Sequence, residues 1–482
     1  MLFNSIAFGL FLPFAVALFW YQHRRLRVWW LLGVSFIFYM QFIPKYVLLL
    51  FLVILINYLA GRCMGRWKSN GRLILRISLV ANLAVLGVFK YIEFLMTSCQ
   101  DILRMFGAEA DFDGLKILLP IGISFYIFHG ISYTVDCYRG RVPPVREFSL
   151  FATYIAFFPK LIAGPIVRAD ELIPQLRDLP AFRLSTFESG IRLLLQGLFK
   201  KILLADGLAP LVGAGFSNPA SLAGVDAWTA VLAFTFQIYF DFSGYTDIAR
   251  GCGRMFCLEL PENFRLPYLA ASPRDFWRRW HITLSTWLRD YLYIPLGGNR
   301  GGRSRTYRNL LITMGLAGLW HGAAWTFVLW GLFHGVLLAG NHVIRSLRPA
   351  KSEPAGAIGL YARRIPGTVT TFLLVVLGWV LFRAPNMDVA WAVYRGLFQY
   401  APAGDLFRTF LSGNLPLLAA LLVLYHGVRV GLRYFPDRTV LWLLRAGTYG
   451  GVLILICVTV FLSQYSPSHA LNQPVPFLYF RF

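Results

Sequence analysis

An all-α, polytopic membrane protein is the fold class the sequence predicts, and three observations carry it. Of 482 residues 57% are hydrophobic and only 14% charged, too little polar surface for a soluble domain of this size. Apolar runs of about 18 residues or more recur along the chain, the length that crosses a bilayer as a helix. The runs are continuous rather than alternating, which argues for helices over a closed barrel, the other structure that satisfies its own backbone in lipid.

Taken in order, Met1 to Trp20 lacks a basic leading region and a small-residue cleavage site, and reads as a retained first span. Spans are expected near 3–20, 28–42, 46–60, 73–96, 115–133, 148–166, 190–215 and 227–248. A polar, aromatic stretch follows, then two segments around 309–343 and spans near 367–384, 415–432 and 440–463. That makes eleven to thirteen membrane segments. Arg24, Arg25 and Arg27 follow the first span, and Arg62, Arg66, Lys68 and Arg72 the third. Thr97–Gly114 instead carries Asp101, Glu109, Asp111 and Asp113 against Arg104 alone, before the basic Arg139, Arg141 and Arg146. This alternation places the N-terminus outside and the basic loops in the cytoplasm, among them Arg254–Arg308 and Arg345–Arg364. Pro349–Gly356 reads as a flexible cytoplasmic link.

The net charge of +23 fits the same pattern. Its cations cluster between apolar runs, where they meet anionic lipid, and no nucleic-acid-reading motif accompanies them. The six cysteines are scattered and form no zinc-ligand pattern, so no metal is expected. A nucleophile elbow, a zinc-binding His-Glu-x-x-His helix and a dinucleotide fingerprint are all missing, which argues against covalent serine catalysis and metal hydrolysis.

Candidate chemistry concentrates in two places. His321 sits in Gly318-Leu319-Trp320-His321-Gly322, inside a run without Lys, Arg, Asp or Glu from Asn309 to Asn341. An ionisable group at that depth is costly and tends to line a cavity or do chemistry. As a neutral imidazole it can act as a general base; packing or proton relay is the structural alternative. On one continuous helix His334 would face roughly the opposite side, since thirteen residues separate the two. Gly318 with Gly322, and Gly331 with Gly335, are pairs that let helices approach closely.

Upstream, Ser272 can cap a helix with Pro273 in first position and Asp275 completing a variant capping box. From there Trp277, Trp280, Leu284, Trp287, Leu288 and Tyr291 recur at helical spacing, with Arg278, Arg279, Ser285, Arg289 and Asp290 opposite. An amphipathic helix at the cytoplasmic interface is expected, with His281 on its apolar stripe. His281 is either a second reacting-site imidazole or a core histidine held by a carbonyl. The glycine turn that follows, Gly297-Gly298-Asn299-Arg300-Gly301-Gly302, makes Arg278, Arg289 and Arg300 weak candidates for phosphate contact, with a lipid headgroup an equal claimant. Asp241 and Asp247 read as structural partners of arginines in the next loop or as groups that orient a histidine. Phe157–Arg168 breaks a helix twice, and such backbone needs protein cover or a cavity. His129 and the remaining histidines default to structural roles.

These stretches together resemble the membrane-bound O-acyltransferase family, most closely its bacterial alginate O-acetylation branch. The resemblance runs from about Leu119 to Gly335 and is carried by Phe157–Arg168, Gln237–Asp247, Asn263–Tyr268, Asp275–Ser285, Trp287–Arg300 and Leu319–Gly322. It implies a ring of spanning and tilted helices around a central tunnel, with a catalytic core at 115–345 between helices at 1–114 and 346–482. By that likeness His321 matches the catalytic base, and His281 stands where the family has Asn or His, to orient the thioester or polarise its carbonyl. The implied activity moves an acetyl group from a cytoplasmic acyl thioester, such as acetyl-CoA, across a bacterial inner membrane. Periplasmic acetylation proteins and a polysaccharide, alginate first, would receive it, with no bound cofactor. Relatives acylating peptidoglycan, cellulose or teichoic acid share these motifs; a transporter or an assembly scaffold is the reading from a different class.

Overall fold

A peptide N–H has no water to bond inside a bilayer, and in the computed structural model, which describes residues 1–108, 118–347, 357–412 and Leu478, the regular structure is helical throughout. The expected link at 349–356 and the spans at 415–432 and 440–463 lie outside the described residues.

The chain opens with α1 (Ile6–Tyr21), α2 (Arg27–Met40), α3 (Tyr46–Arg66), α4 (Gly71–Leu86) and α5 (Ile92–Met105). Between α4 and α5 a π-helical segment, Gly87–Tyr91, keeps the polypeptide helical while shifting its register. Then come α6 (Ile123–Tyr138), α7 (Phe148–Ala156), the single turn α8 (Phe158–Leu161), α9 (Ala169–Arg177), α10 (Leu184–Leu198), α11 (Asp206–Ser217) and the 32-residue α12 (Gly224–Met255). Short α13 (Pro273–Trp277) and α14 (Ile282–Leu288) precede the long hairpin α15 (Arg303–His321) and α16 (Trp325–Leu347). The described helices end with α17 (Ala357–Arg383), α18 (Met387–Phe398) and α19 (Asp405–Ser412). Four stretches, Tyr46–Arg66, Lys68–Met105, Trp325–Leu347 and Arg364–Arg383, are each long and apolar enough to cross a membrane, so the chain is a multi-pass membrane protein.

The break expected in Phe157–Arg168 is present, and its backbone is covered by side chains. Phe158 N–H donates to Ser35 Oγ at 3.1 Å, Ile166 N–H to Thr283 Oγ1 at 2.9 Å and Val167 N–H to His129 Nε2 at 3.1 Å. Helices α2, α14 and α6 thus each lend one acceptor to a stretch that cannot satisfy itself. His129 has the structural role expected of it.

Asp241 and Asp247 are paired, but with lysines rather than with arginines of the following loop. Lys201 bridges Asp241 and Asp206, each at 2.7 Å, and Lys200 binds Asp247. Both lysines lie in a π-helical segment, Phe199–Ala205, between α10 and α11. Arg250, within α12 itself, lies 3.9 Å from Asp247. Removing one member of such a buried pair strands the other charge, which costs about 3–5 kcal/mol.

The α15–α16 hairpin is closed by glycine. A Cβ on Gly331 would lie 2.1 Å from the Met314 carbonyl oxygen, and one on Gly318 would lie 2.1 Å from that of Phe327. Gly331→Ala must therefore part the helices, at a cost of about 1–3 kcal/mol or more. Gly340, further along α16, has open space at its Cβ. In detergent, Gly331→Ala is expected to lower Tm and membrane yield, while Gly340→Ala keeps or slightly raises both; equal behaviour would show that the glycine contact does not close the hairpin.

Candidate functional site

The helical periodicity that runs from Phe276 through Leu288 is interrupted in three dimensions. The Ser272 hydroxyl accepts from Asp275 N–H at 3.2 Å and starts α13 as its sequence suggests. The expected continuous amphipathic helix then stops after Trp277, and His281 adopts a left-handed conformation with φ 42° and ψ 55° before α14 begins. The cause is tertiary. Arg265 N–H donates to the Arg279 carbonyl at 3.0 Å and Ile282 N–H to the Asn263 carbonyl at 3.0 Å, so a neighbouring loop pairs with the corner and replaces its helical bonds. Asn263 also binds side chains: its Oδ1 accepts from Thr283 N–H at 3.1 Å and from Thr283 Oγ1 at 2.7 Å, and lies 3.4 Å from His281 Nδ1. His281 is fully buried there, with Phe242 edge-on at 4.7 Å between ring centres.

His321 arrives from the other side. It is the last residue of α15, where the chain opens at Gly322 before α16. Gly322 has no room for a side chain, since a Cβ would meet the Phe327 ring at 2.2 Å. The two imidazoles, forty residues apart in sequence, lie 6.5 Å apart between ring centres with their planes at 57°. Both are buried. Trp320 stands 6.1 Å from His281, while Trp330 and Phe382 pack on His321 at 5.1 and 5.3 Å.

His334 does not face away from His321 as a single continuous helix would require. The turn at Gly322–Ala324 reverses the chain, so both histidines pack on one indole, with Trp330 at 5.1 Å from His321 and 4.9 Å from His334. Trp277 and Phe276 also pack on His334, at 5.3 and 6.1 Å. Among the described residues no group of His, Cys, Asp and Glu could hold a metal ion.

Beside His321 lies a cavity of about 40 Å³, lined among others by Lys90, Ser124, Phe125, Ile162 and Trp320. Such a volume holds one or two water-sized groups. None of Arg278, Arg289 and Arg300 lines it, and all three are exposed. Arg289 is engaged by Asp290 at 2.7 Å, a hydrogen bond that holds its guanidinium pKa above the ordinary value. Asp290 in turn binds Arg168 at 3.2 Å. The glycine turn has positive φ at Gly297, Gly298, Gly301 and Gly302, and is fastened to α15 by Asn309, whose amide donates to the Gly298 carbonyl at 3.1 Å.

Four residues to which the sequence reading gives no role of their own also contribute. Asn263 orients the corner at His281, Lys90 reaches the cavity from the α4–α5 junction, and Trp379 and Phe382 of α17 wall the aromatic cluster. Trp379 packs on Trp280 at 4.9 Å and on Trp330 at 5.8 Å.

The arrangement suits a reaction in which a proton leaves one group as a carbonyl is attacked nearby. One buried imidazole can take the proton, and the second is close enough to bind the same reacting centre from the side. The left-handed backbone limits what can replace His281. Asparagine tolerates that conformation, whereas a β-branched residue does not, at a cost of about 1–3 kcal/mol. His281→Asn is expected to accumulate in membranes with nearly wild-type Tm, and His281→Val to show a clear fall in both. Indistinguishable Tm values would mean that the corner relaxes freely.

The sequence model of the membrane-bound O-acyltransferase family matches residues 118–359. A probable alginate O-acetylase of Azotobacter vinelandii is 43% identical over 440 residues, covering 89% of this chain and 85% of that protein. A protein of the same description from Pseudomonas putida is 40% identical over 507 aligned positions, covering all of both chains. A peptidoglycan O-acetyltransferase of Helicobacter pylori is 39% identical over 396 residues, covering 76% of this chain and 73% of its own.

Proposed function

This chain belongs to the membrane-bound O-acyltransferase family and is an O-acyltransferase, and from that premise we propose that it carries out the membrane step of alginate O-acetylation. The acceptor reading rests on the high coverage and 40–43% identity shared with proteins named as probable alginate O-acetylases. The donor is an acyl thioester such as acetyl-CoA, reached from the cytoplasm of a bacterial inner membrane, with the N-terminus in the periplasm. The acetyl group passes to periplasmic acetylation proteins or to the polymer itself. Residues 115–345 form the catalytic core in this reading, flanked by 1–114 and 346–482.

In this reading the accepting hydroxyl oxygen attacks the thioester carbonyl carbon. A C–O bond forms and the C–S bond breaks. His321 takes the hydroxyl proton and returns it to the departing thiolate, so the imidazole ends as it began. His281 orients the thioester or polarises its carbonyl. The observation that carries the assignment is the meeting of these two buried imidazoles, 6.5 Å apart, at a helix end and a left-handed corner. A group brought to that spacing by tertiary hydrogen bonds, rather than by one helix, fits a reacting centre better than chance packing.

The test is polymer-bound acetyl in a deletion strain carrying wild type or His321→Ala, with membrane abundance matched by immunoblot. Loss of a general base lowers the rate by about 10²- to 10⁴-fold, so acetyl ester is expected to fall to background. Retained acetylation at equal abundance would remove His321 from the chemistry. Unchanged alginate esters with loss of peptidoglycan esters in the deletion strain would transfer the assignment to peptidoglycan, the substrate class named for the Helicobacter pylori relative.

A further inference from the structure

A lysine lies within the 38-residue apolar stretch Lys68–Met105, at a depth where a charge is expensive and tends to be kept for use. Lys90 belongs to the π-helical segment Gly87–Tyr91, whose extra residue turns the side chain away from the register of the flanking helices. Its ammonium donates to the carbonyl oxygens of Trp320 and His321, the latter at 3.4 Å, and to Ser124 Oγ at 3.3 Å. The adjacent Tyr91 hydroxyl donates to the Leu319 carbonyl at 3.0 Å. The last three carbonyls of α15 are therefore held from one short piece of chain.

The charge is matched by dipoles rather than by a countercharge. Among the described residues no carboxylate lies within ion-pair distance of Lys90. What faces it is the C-terminal end of α15, where unpaired carbonyls concentrate about half an elementary negative charge. The faces of Trp320 and Tyr91 add to this, with the ammonium 5.8 and 5.9 Å from their ring centres. The residue at that helix end is His321, and Lys90 and His321 share the wall of one cavity.

We propose that Lys90, assisted by Tyr91, is the positioning residue for the His321 imidazole, fixing the end of α15 so that the ring stays at the reacting centre. The inference rests on the reading of His321 as the base. A general base works only within hydrogen-bond reach of its proton, and a displacement of about 1 Å can lower a rate by about a hundredfold. Free helix ends fray; an ammonium and a hydroxyl clamping three successive carbonyls prevent this one from doing so. A lysine kept merely to hold the fold would make the same contacts, so the test must separate abundance and stability from rate.

The experiment uses the full chain in the deletion strain and compares wild type, Lys90→Met, Lys90→Arg, Tyr91→Phe and His321→Ala. Initial rates of acetyl ester appearance on the polymer are measured at matched membrane abundance, with Tm in detergent for each variant. Lys90→Met is expected to lower the rate about 10- to 100-fold with Tm little changed, and Lys90→Arg, which keeps the charge and its donors, to recover most of it. A wild-type rate for Lys90→Met, or an arginine variant as slow as the methionine one, would overturn the proposal. If Lys90→Met fails to accumulate, Tyr91→Phe decides: it removes one hydroxyl, and at matched abundance it must slow the rate several-fold or the proposal falls. An active His321→Ala would instead defeat the reading of the base, whatever the lysine variants do.

Discussion

The Thr283 hydroxyl joins three pieces of backbone that have no regular structure to satisfy them. It accepts from Ile166 N–H at the end of the broken segment and donates to Asn263 Oδ1, which also receives Thr283 N–H and lies against His281. In water each of these groups could turn to solvent; buried as they are, an unpaired one costs several kcal/mol. Irregular backbone can exist there only where other side chains complete it. The site is built of irregular backbone, so this small knot of hydrogen bonds is the condition for having a site at all. The clamp on the end of α15 obeys the same rule, with Lys90 and Tyr91 supplying donors where His129, Ser35 and Thr283 supply acceptors.

Charge inside the fold is handled in two different ways. Lys200 and Lys201 meet carboxylates directly, which ties the segment between α10 and α11 to α12. Buried pairs of this kind add little net stability, because desolvation offsets most of the attraction. Their worth lies in excluding alternatives. Lys90 instead faces carbonyl dipoles and aromatic rings, a weaker match than a carboxylate gives.

Much of this was legible in the residues, and the limits have physical causes. The all-α class follows from hydropathy, since the period and length of apolar runs do not depend on tertiary contacts. The glycine pairs of the α15–α16 hairpin are visible because close helix approach demands them at fixed spacing, and the structure puts backbone atoms where their Cβ would be. His321 and His281 stand out as ionisable groups in aromatic surroundings. Their juxtaposition does not, because it needs the chain to return through Asn263. Helical periodicity passes straight through His281, and the break there is imposed by the loop at Asn263–Arg265, whose hydrogen bonds outweigh local propensity. Lys90 is the least legible of all. It reads as a stray charge in a long span, and its partner carbonyl is 230 residues away.

The glycine seam has a mechanical meaning. Where carbonyl oxygens sit against bare Cα atoms, two helices cannot slide past each other without collision, so α15 and α16 must travel as a single rigid strut. His321, at the tip of that strut, travels with it. If substrates of different size are to pass, the compliance has to reside outside that strut, in the two short helices either side of His281. The strut that carries His321 and the corner that carries His281 thus belong to separate stretches of chain.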